Sequence, residues 1–202
     1  VRVNADIPAD GDAEAEATVP AGAAGAVVSF PVNGGNVVHK FLDDGSTEPV
    51  AWSVVRDGVA YVRLSGSAKL TVKDVSGLFD DMQQHWAAEA ADFTGARGLF
   101  EGTAHAVFDP AKPMTRAMLV TVLYRLSGAP ETGAAAFADV PADAWYADGV
   151  AWASKNGIVT GVGGGKFNPN GNVTREQIAT FLFRYAEYLG YNTSKRADLS
   201  RF

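Results

Sequence analysis

The 202-residue chain contains no cysteine, which excludes disulfides, thiolate metal sites and cysteine nucleophiles. Histidine is scarce: His39, His85 and His105 are scattered, and no His-Glu-x-x-His or Gly-x-Ser-x-Gly motif occurs. Carboxylates are too common to nominate a catalytic pair, so the sequence reads as non-enzymatic. Positive charge is also short. Lys and Arg total 17 against 23 Asp and Glu, a net charge of −6 with no basic cluster. That balance argues against nucleic acid and anionic membrane surfaces as partners. No apolar run approaches the roughly 20 residues needed to cross a bilayer. What is present is 47% apolar residues, enough to fill the cores of one or two domains. The chain opens at Val1 with no signal-peptide pattern, which reads as a mature form or an excised piece.

Residues 1–75 show no helical period. The stretch 9–26 is rich in Ala, Gly, Asp and Glu and reads as loose or linker-like. Beyond it, β-branched runs at Val27–Phe30, Asn36–Leu42, Val50–Arg56, Val59–Leu64 and Lys69–Lys73 are the candidate strands. Asp57-Gly58 lies between two of them and is a strong hairpin turn, because Gly accepts positive φ. Asp43-Asp44-Gly45 reads as a second, longer turn. In Val59–Leu64, Ala60, Val62 and Leu64 share one face, and Val59, Tyr61 and Arg63 share the other. The expectation is a small antiparallel β module over 1–75.

The C-terminal half is written twice. Trp86 pairs with Trp145, Gly98 with Gly157, Gly102 with Gly161, Phe108 with Phe167, Pro110 with Pro169, Thr115 with Thr174 and Arg116 with Arg175, each 59 positions apart. A repeat is one supersecondary unit that buries its apolar face against its neighbours. Each copy reads as helix, loop, helix. The first helix carries Trp86, Ala90, Phe93, Ala96 and Leu99 in copy one and Trp145, Gly149, Trp152 and Lys155 in copy two. Gly98 and Gly157 sit where a left-handed C-terminal glycine belongs. The second helices run over Leu119–Leu126 and Ile178–Leu189 after Thr115 and Thr174. Thr174 with Gln177 forms a capping box; Met118 leaves only half a box in copy one.

Arg116 and Arg175 fall at the first position of these second helices, where the dipole disfavours a cation by a few tenths of a kcal/mol. Two readings stand. The free amides of a helix start already favour an anion, and a neighbouring guanidinium strengthens that by bidentate contact. Alternatively, each Arg pairs with an acidic group of the neighbouring repeat, for instance near Asp139 or Glu101. Trp86 and Trp145 are equally open: stacking on a sugar ring, or core packing.

These residues resemble the S-layer homology repeat. Copy one reads Phe79-Asp-Asp-Met, His85-Trp86, Gly98-Leu-Phe-Glu-Gly102, Phe108-Asp-Pro110 and Met114-Thr-Arg116. Copy two reads Phe137-Ala-Asp-Val, Trp145, Gly157-Ile-Val-Thr-Gly161, Phe167-Asn-Pro169 and Val173-Thr-Arg175. The resemblance implies an α+β, multidomain chain in which tandem helix-loop-helix repeats form part of a pseudo-threefold bundle. The expected divisions are the β module at 1–75, repeats at 76–130 and 131–192, and the start of a third at 193–202. It also implies an extracellular, non-covalent anchor to the bacterial cell wall, bound to secondary cell-wall polysaccharide, commonly pyruvylated. Carried over, the polysaccharide-binding residues are Arg116, Arg175, Thr115, Thr174, Trp86, Trp145, Gly161 and Gly163, with no cofactor and no metal.

Copy two and copy one depart from the pattern in places. The acidic residue expected two positions after each Arg is Met118 or Gln177, and the loop Gly102-Thr-Ala-His-Ala-Val lacks the Gly-rich character of Gly161–Gly165. Asp198-Leu-Ser-Arg-Phe202 resembles the opening of a third copy, so an open apolar face and self-association are expected. The alternatives are a structural, self-assembling surface lattice or the anchor of an extracellular enzyme with an upstream catalytic domain. A calcium loop at Asn168–Glu176 is disfavoured, because its oxygen ligands are amides with too little charge.

Overall fold

The computed structural model describes residues 2–6, 13–21 and 25–194, so the expected third-copy opening at Asp198 lies outside the described residues. The chain divides into two compact units, 1–110 and 111–202. The first begins with eight strands, all paired antiparallel: β1 (Arg2–Asp6), β2 (Glu14–Thr18), β3 (Ala26–Pro31), β4 (Val37–Phe41), β5 (Thr47–Pro49), β6 (Ser53–Arg56), β7 (Val59–Leu64) and β8 (Ala68–Lys73). They form a five-stranded sheet, β1-β2-β8-β4-β5, and a three-stranded sheet, β3-β7-β6. Val28, Phe30, Ala60, Val62 and Leu64 of the smaller sheet share one core with Ala15, Ala17, Val38, Leu70 and Val72 of the larger. The period of β7 places its side chains as expected: Ala60, Val62 and Leu64 are buried, while Tyr61 and Arg63 are exposed. Asp57 and Gly58 both take positive φ, 52° and 72°, in the two-residue turn between β6 and β7.

Two expectations for this region need correction. The stretch 9–26 holds β2, paired with β1 on one side and β8 on the other. Its inward residues are Ala15 and Ala17, so the alternation is present but the apolar payload per residue is small. Val50–Arg56 is not one strand. The backbone breaks after β5, Ser53 Oγ donates to the Val50 carbonyl at 2.7 Å, and β6 continues in the other sheet.

The rest of the first unit holds a 3-10 turn (Asp80–Met82) and helix α1 (Ala88–Gly95). The second unit holds α2 (Arg116–Leu126), α3 (Ala147–Lys155) and α4 (Arg175–Tyr188). α1 and α3 begin after Trp86 and Trp145, so neither indole rides on its helix. Gly98 and Gly157 take φ 65° and 69° as expected. Gly157 N donates to Ser154 O and Ile158 N to Ala153 O, the paired bonds that close a helix through a left-handed glycine. α2 and α3 pack through Gly149, where a Cβ would lie 3.3 Å from the Thr121 Cα, and through Trp152, whose ring lies 5.7 Å from that of Tyr124.

Copy one keeps its capping box. Thr115 Oγ1 accepts from Met118 N at 3.2 Å, and the Met118 sulfur stands 3.5 Å from Thr115 N in the place of the Gln177 amide oxygen. Thioether sulfur is a weak acceptor, which is why composition alone misses it.

Candidate functional site

The first aromatic, the acid, the loop glycine and the second aromatic of each copy are one physical assembly. Asp81 accepts from Phe108 N at 2.8 Å and Asp109 N at 2.7 Å; Asp139 accepts from Phe167 N and Asn168 N, both at 2.8 Å. These backbone donors, Phe108 or Phe167 foremost, hold each carboxyl below its ordinary value. The residue following each Phe, Asp109 or Asn168, takes positive φ, 61° or 59°. Phe79 meets Phe108 edge-on at 5.1 Å, and Phe137 meets Phe167 at 5.6 Å. The backbone passes so close at Gly102 and Gly161 that a Cβ would collide with the carbonyl oxygens of Val107 and Lys166. Sequence reading names Asp139 only as a charge partner for an arginine and Asp81 only within its motif, although Phe-x-Asp in both copies is the signal that marks their shared role.

The tip of the loop is closed by the same two backbone hydrogen bonds in both copies. Val162 N donates to Lys166 O and Lys166 N to Gly163 O; Thr103 N donates to Val107 O and Val107 N to Ala104 O. Copy two uses Gly163, Gly164 and Gly165 at positive φ, while copy one reaches the turn with Ala106 at φ 54°. Without the glycines, copy one closes the same two bonds with positive φ at Ala106 but not at Ala104 or His105, so its backbone takes a different route through those two positions.

Arg116 and Arg175 both occupy the first turn of their helices, but in different surroundings. Arg116 is buried. Its Nε donates to Phe167 O at 2.9 Å and its Nη2 to Thr160 O at 3.0 Å, with the guanidinium 4.7 Å from the Phe167 ring centre and 5.3 Å from that of Phe181. Burial pulls it below its ordinary pKa, and the Asp139 charge pushes the other way. Its hydrogen bonds go to carbonyls, and Asp139, the acid named in one of the two readings, acts on it through its charge. The start of α2 is also occupied: Arg116 N donates to Gly171 O and Ala117 N to Pro169 O. Arg175 is exposed, and among the described residues no carbonyl takes the N–H groups of Arg175 or Glu176.

The remaining expected residues are placed as follows. Thr115 and Thr174 cap α2 and α4. Gly161 and Gly163 lie in the loop that Arg116 grips, so Arg116, Thr115 and these glycines fall together within the second unit. Trp86 is 92% exposed and Trp145 62% exposed. Trp145 stands edge-on to Tyr146 at 5.2 Å, whose own ring is buried.

Arg97 was missed from sequence. It is buried in the first unit and donates through Nε to Ser53 O at 3.0 Å, through Nη1 to Phe93 O at 2.9 Å and through Nη2 to Asn36 O at 3.0 Å. Burial lowers it to about 10, so it stays charged at neutral pH. In copy two the same position is Asn156, which bonds only within its own helix end, to Trp152 O. Among the described residues no group of His, Asp and Glu is placed to hold a metal, and no helix is long and apolar enough to cross a membrane.

The S-layer homology domain family matches residues 78–117 and 136–179, the two copies just described. The chain carries two S-layer homology domains. It is 35% identical over 117 residues to the surface-layer 125 kDa protein of Lysinibacillus sphaericus, covering 58% of this chain and 10% of that protein. It is 32% identical over 112 residues to an amylopullulanase of Thermoanaerobacterium thermosulfurigenes, covering 55% and 6% respectively. The S-layer protein sap of Bacillus anthracis is 30% identical over 100 residues, covering 48% and 12%. The chain thus spans about a tenth of the length of these relatives. S-layer homology domains belong to bacterial surface proteins, and this is an extracellular, cell-surface chain.

Proposed function

We propose that the two S-layer homology domains hold an exported protein non-covalently to the bacterial cell wall by binding an anionic secondary cell-wall polysaccharide. The observation that carries this reading is the exposure of Trp86 and Trp145, two indoles at equivalent positions of the repeats left 92% and 62% in solvent, together with that of Thr174 and Arg175 in the second copy. An indole offers a flat apolar face to a sugar ring. A guanidinium beside open helix-start amides suits a carboxylate, which a pyruvyl ketal supplies. Within the second unit, Arg116 and Thr115 support the reading indirectly, Arg116 by holding the start of α2 against the loop that contains Gly161 and Gly163 and Thr115 by capping that helix.

The region is read as non-catalytic, since the enzyme relative is matched over only 6% of its length. An upstream enzyme and a three-pronged arrangement of repeats both fit this anchor. A second reading, assembly with other copies, is favoured by the exposed apolar side chains of α4. The test is co-sedimentation of the chain with purified walls. Binding is expected, and extraction of the non-peptidoglycan polymers is expected to abolish it. Undiminished binding to extracted walls would overturn the polysaccharide reading.

A further inference from the structure

The smaller sheet of the β module has an outer face, opposite the one that fills the core. Tyr61 on the central strand β7 pairs with Ser29 of β3 on one side and Val54 of β6 on the other. In the next row Arg63 pairs with Val27, and its N–H donates to Trp52 O at 2.9 Å, which carries the β6 register back by one residue pair. Directly opposed residues share a face, so these six side chains lie together, and Trp52 and Tyr61 stand on a diagonal about 7–8 Å apart with Arg63 beside both. Their inward neighbours Val28, Val62 and Ser53 are buried. The outward set is not: Val27 is 68% exposed, Tyr61 43% and Val54 40%. A wet sheet face ordinarily carries polar residues, and this one carries aromatic and aliphatic side chains around one arginine.

That arginine is held in place and lacks an acid. The Arg63 guanidinium lies 5.7 Å from the Trp52 ring centre. On its other flank a Cβ on Gly25 would stand 2.7 Å from Nε and Nη2, so a glycine there leaves it room. Among the described residues no carboxylate forms an ion pair with Arg63. Lys40 and Lys69 of the larger sheet hold Glu48 at 2.7 Å and Glu14 at 2.8 Å, and Arg56 lies 3.4 Å from Asp57. The outward positions of β3, β6 and β7 include no Asp or Glu, in a chain whose net charge is −6. The face therefore complements an acidic ligand. Its size decides the kind. Three strands about 4.8 Å apart and about six residues long present roughly 14 by 20 Å, or about 300 Å². A stable protein interface needs about 800 Å² from each partner, whereas a short run of sugar rings fits this area.

We propose that the outer face of the β3-β7-β6 sheet is a second glycan-binding site, one that takes a carboxylate-bearing polysaccharide. Tyr61 and the exposed part of Trp52 stack on the apolar faces of sugar rings, and Val27 and Val54 extend that floor. Arg63 takes a sugar carboxylate in a bidentate contact, with the Trp52 ring fixing its plane. Ser29, beside Tyr61, offers a hydroxyl that donates to or accepts from the sugar hydroxyls. The site belongs to the β module and not to the repeats, so it stands independently of the wall-anchor reading.

Affinity electrophoresis of the 202-residue chain tests it, with polygalacturonate in the gel as the carboxylated glycan, dextran as rings without charge and polyphosphate as charge without rings. Polygalacturonate is expected to retard the chain. No retardation overturns the proposal, as does equal retardation by dextran or by polyphosphate. Arg63→Gln and Tyr61→Ser are each expected to weaken binding roughly tenfold. Lys69→Gln, which removes the same charge from the larger sheet, is expected to change it by less than about twofold. Both face variants are at exposed sites, and unchanged urea midpoints show that they fold. Amide shifts of the isotope-labelled chain titrated with oligogalacturonate place the contact. Shifts at Val27, Tyr61 and Arg63 are expected; shifts confined to the repeats overturn the site and leave the wall reading intact. Self-association that Tyr61→Ser abolishes would mean that a second copy covers the face, and would overturn the glycan. Loss of wall co-sedimentation in Trp86→Ala plus Trp145→Ala bears on the repeats alone, so the two readings fail separately.

Discussion

The Arg116 Nε donates to the Phe167 carbonyl at 2.9 Å, so the arginine that opens the second helix of one repeat is part of the loop structure of the next. Its position against the helix dipole is offset by two buried carbonyls and two aromatic faces. The duplicated Thr-Arg is thus a docking element wherever a loop meets it, and an exposed cation where none does. Arg116 and Arg175 show one motif in both conditions.

Arg116→Ala is expected to destabilise the second unit by about 2–4 kcal/mol, because it leaves the carbonyls of Phe167 and Thr160 without their donor and opens a void beside Phe181. Arg116→Lys does not restore it, since one ammonium cannot reproduce the planar fork. Arg175→Ala, at an exposed site, is expected to change stability by no more than about 0.5 kcal/mol. Urea unfolding of the three variants checks this, and equal losses for both alanine variants would sink the latch reading.

Gly161→Ala is expected to cost about 1–3 kcal/mol, because the added Cβ meets the Lys166 carbonyl oxygen and comes within 2.9 Å of Phe137 Cε1. Backbone and an aromatic ring wedged against Phe167 have little room to yield. Gly133→Ala meets nothing within 4 Å and has no positive φ, so it is the control and is expected to be neutral or slightly stabilising. Thermal melts of the two variants separate a packing requirement from a general intolerance of loop glycine replacement.

Asp81 and Asp139 give the fold an acid limb. Backbone donors hold both carboxyls below their ordinary value in the folded chain. Such a group contributes stability above the unfolded pKa near about 3.9, and that contribution disappears as pH falls through the lower, folded value. Stability is therefore expected to be flat above about pH 5 in this respect and to decline below about pH 4. Asp139→Asn is expected to lower stability at neutral pH and flatten the decline, as read by urea midpoints across that range. An unaltered acid limb in Asp81→Asn plus Asp139→Asn would show that other carboxyls set it.

Local signals carried much of the architecture. The turn at Asp57-Gly58, the alternation of β7 and the left-handed caps at Gly98 and Gly157 each depend on a residue and its close neighbours, and the chain spells them out. β2 escaped because alanine supplies its buried face, and alternating Ala with Glu resembles a solvated linker. The candidate site was legible as a set of residues but not as an arrangement. What separates Arg116 from Arg175 is a loop 51 residues further along the chain, and Arg97 finds acceptors 44 and 61 residues away. Pairings at that range are set by tertiary packing, on which propensity and period are silent.

Arg97→Ala is expected to loosen the β module from the segment that follows it, because Ser53 O, Asn36 O and Phe93 O lose their common donor. The loss is about 3 kcal/mol, as for a buried charged network broken on one side. Asn156→Ala, the matching position of copy two, is expected to cost about 1 kcal/mol, the value of a single side-chain bond. Limited proteolysis between Lys73 and Ala88 should accelerate in the first variant only. Equal protection in both would mean that the sheet core, and not Arg97, holds the module in place.

Trp86 and Trp145 separate binding from stability. They begin equivalent segments, yet both indoles point to solvent, 92% and 62% exposed, where a core tryptophan would be buried. Truncating an exposed side chain removes little packing, so Trp86→Ala and Trp145→Ala are each expected to shift folding stability by no more than about 0.5 kcal/mol. A tryptophan that anchors a ligand contributes far more to binding than that, and each variant is expected to weaken wall binding about tenfold, ~1.4 kcal/mol. Equilibrium co-sedimentation against purified walls, run beside urea unfolding, reads both quantities. Trp145 has the sharper expectation, since Tyr146 braces its ring edge-on and reduces the ordering cost of a sugar stacked on it. Wall affinity untouched by both substitutions would move the glycan contact off the indoles and leave Arg175 and Thr174 to carry it.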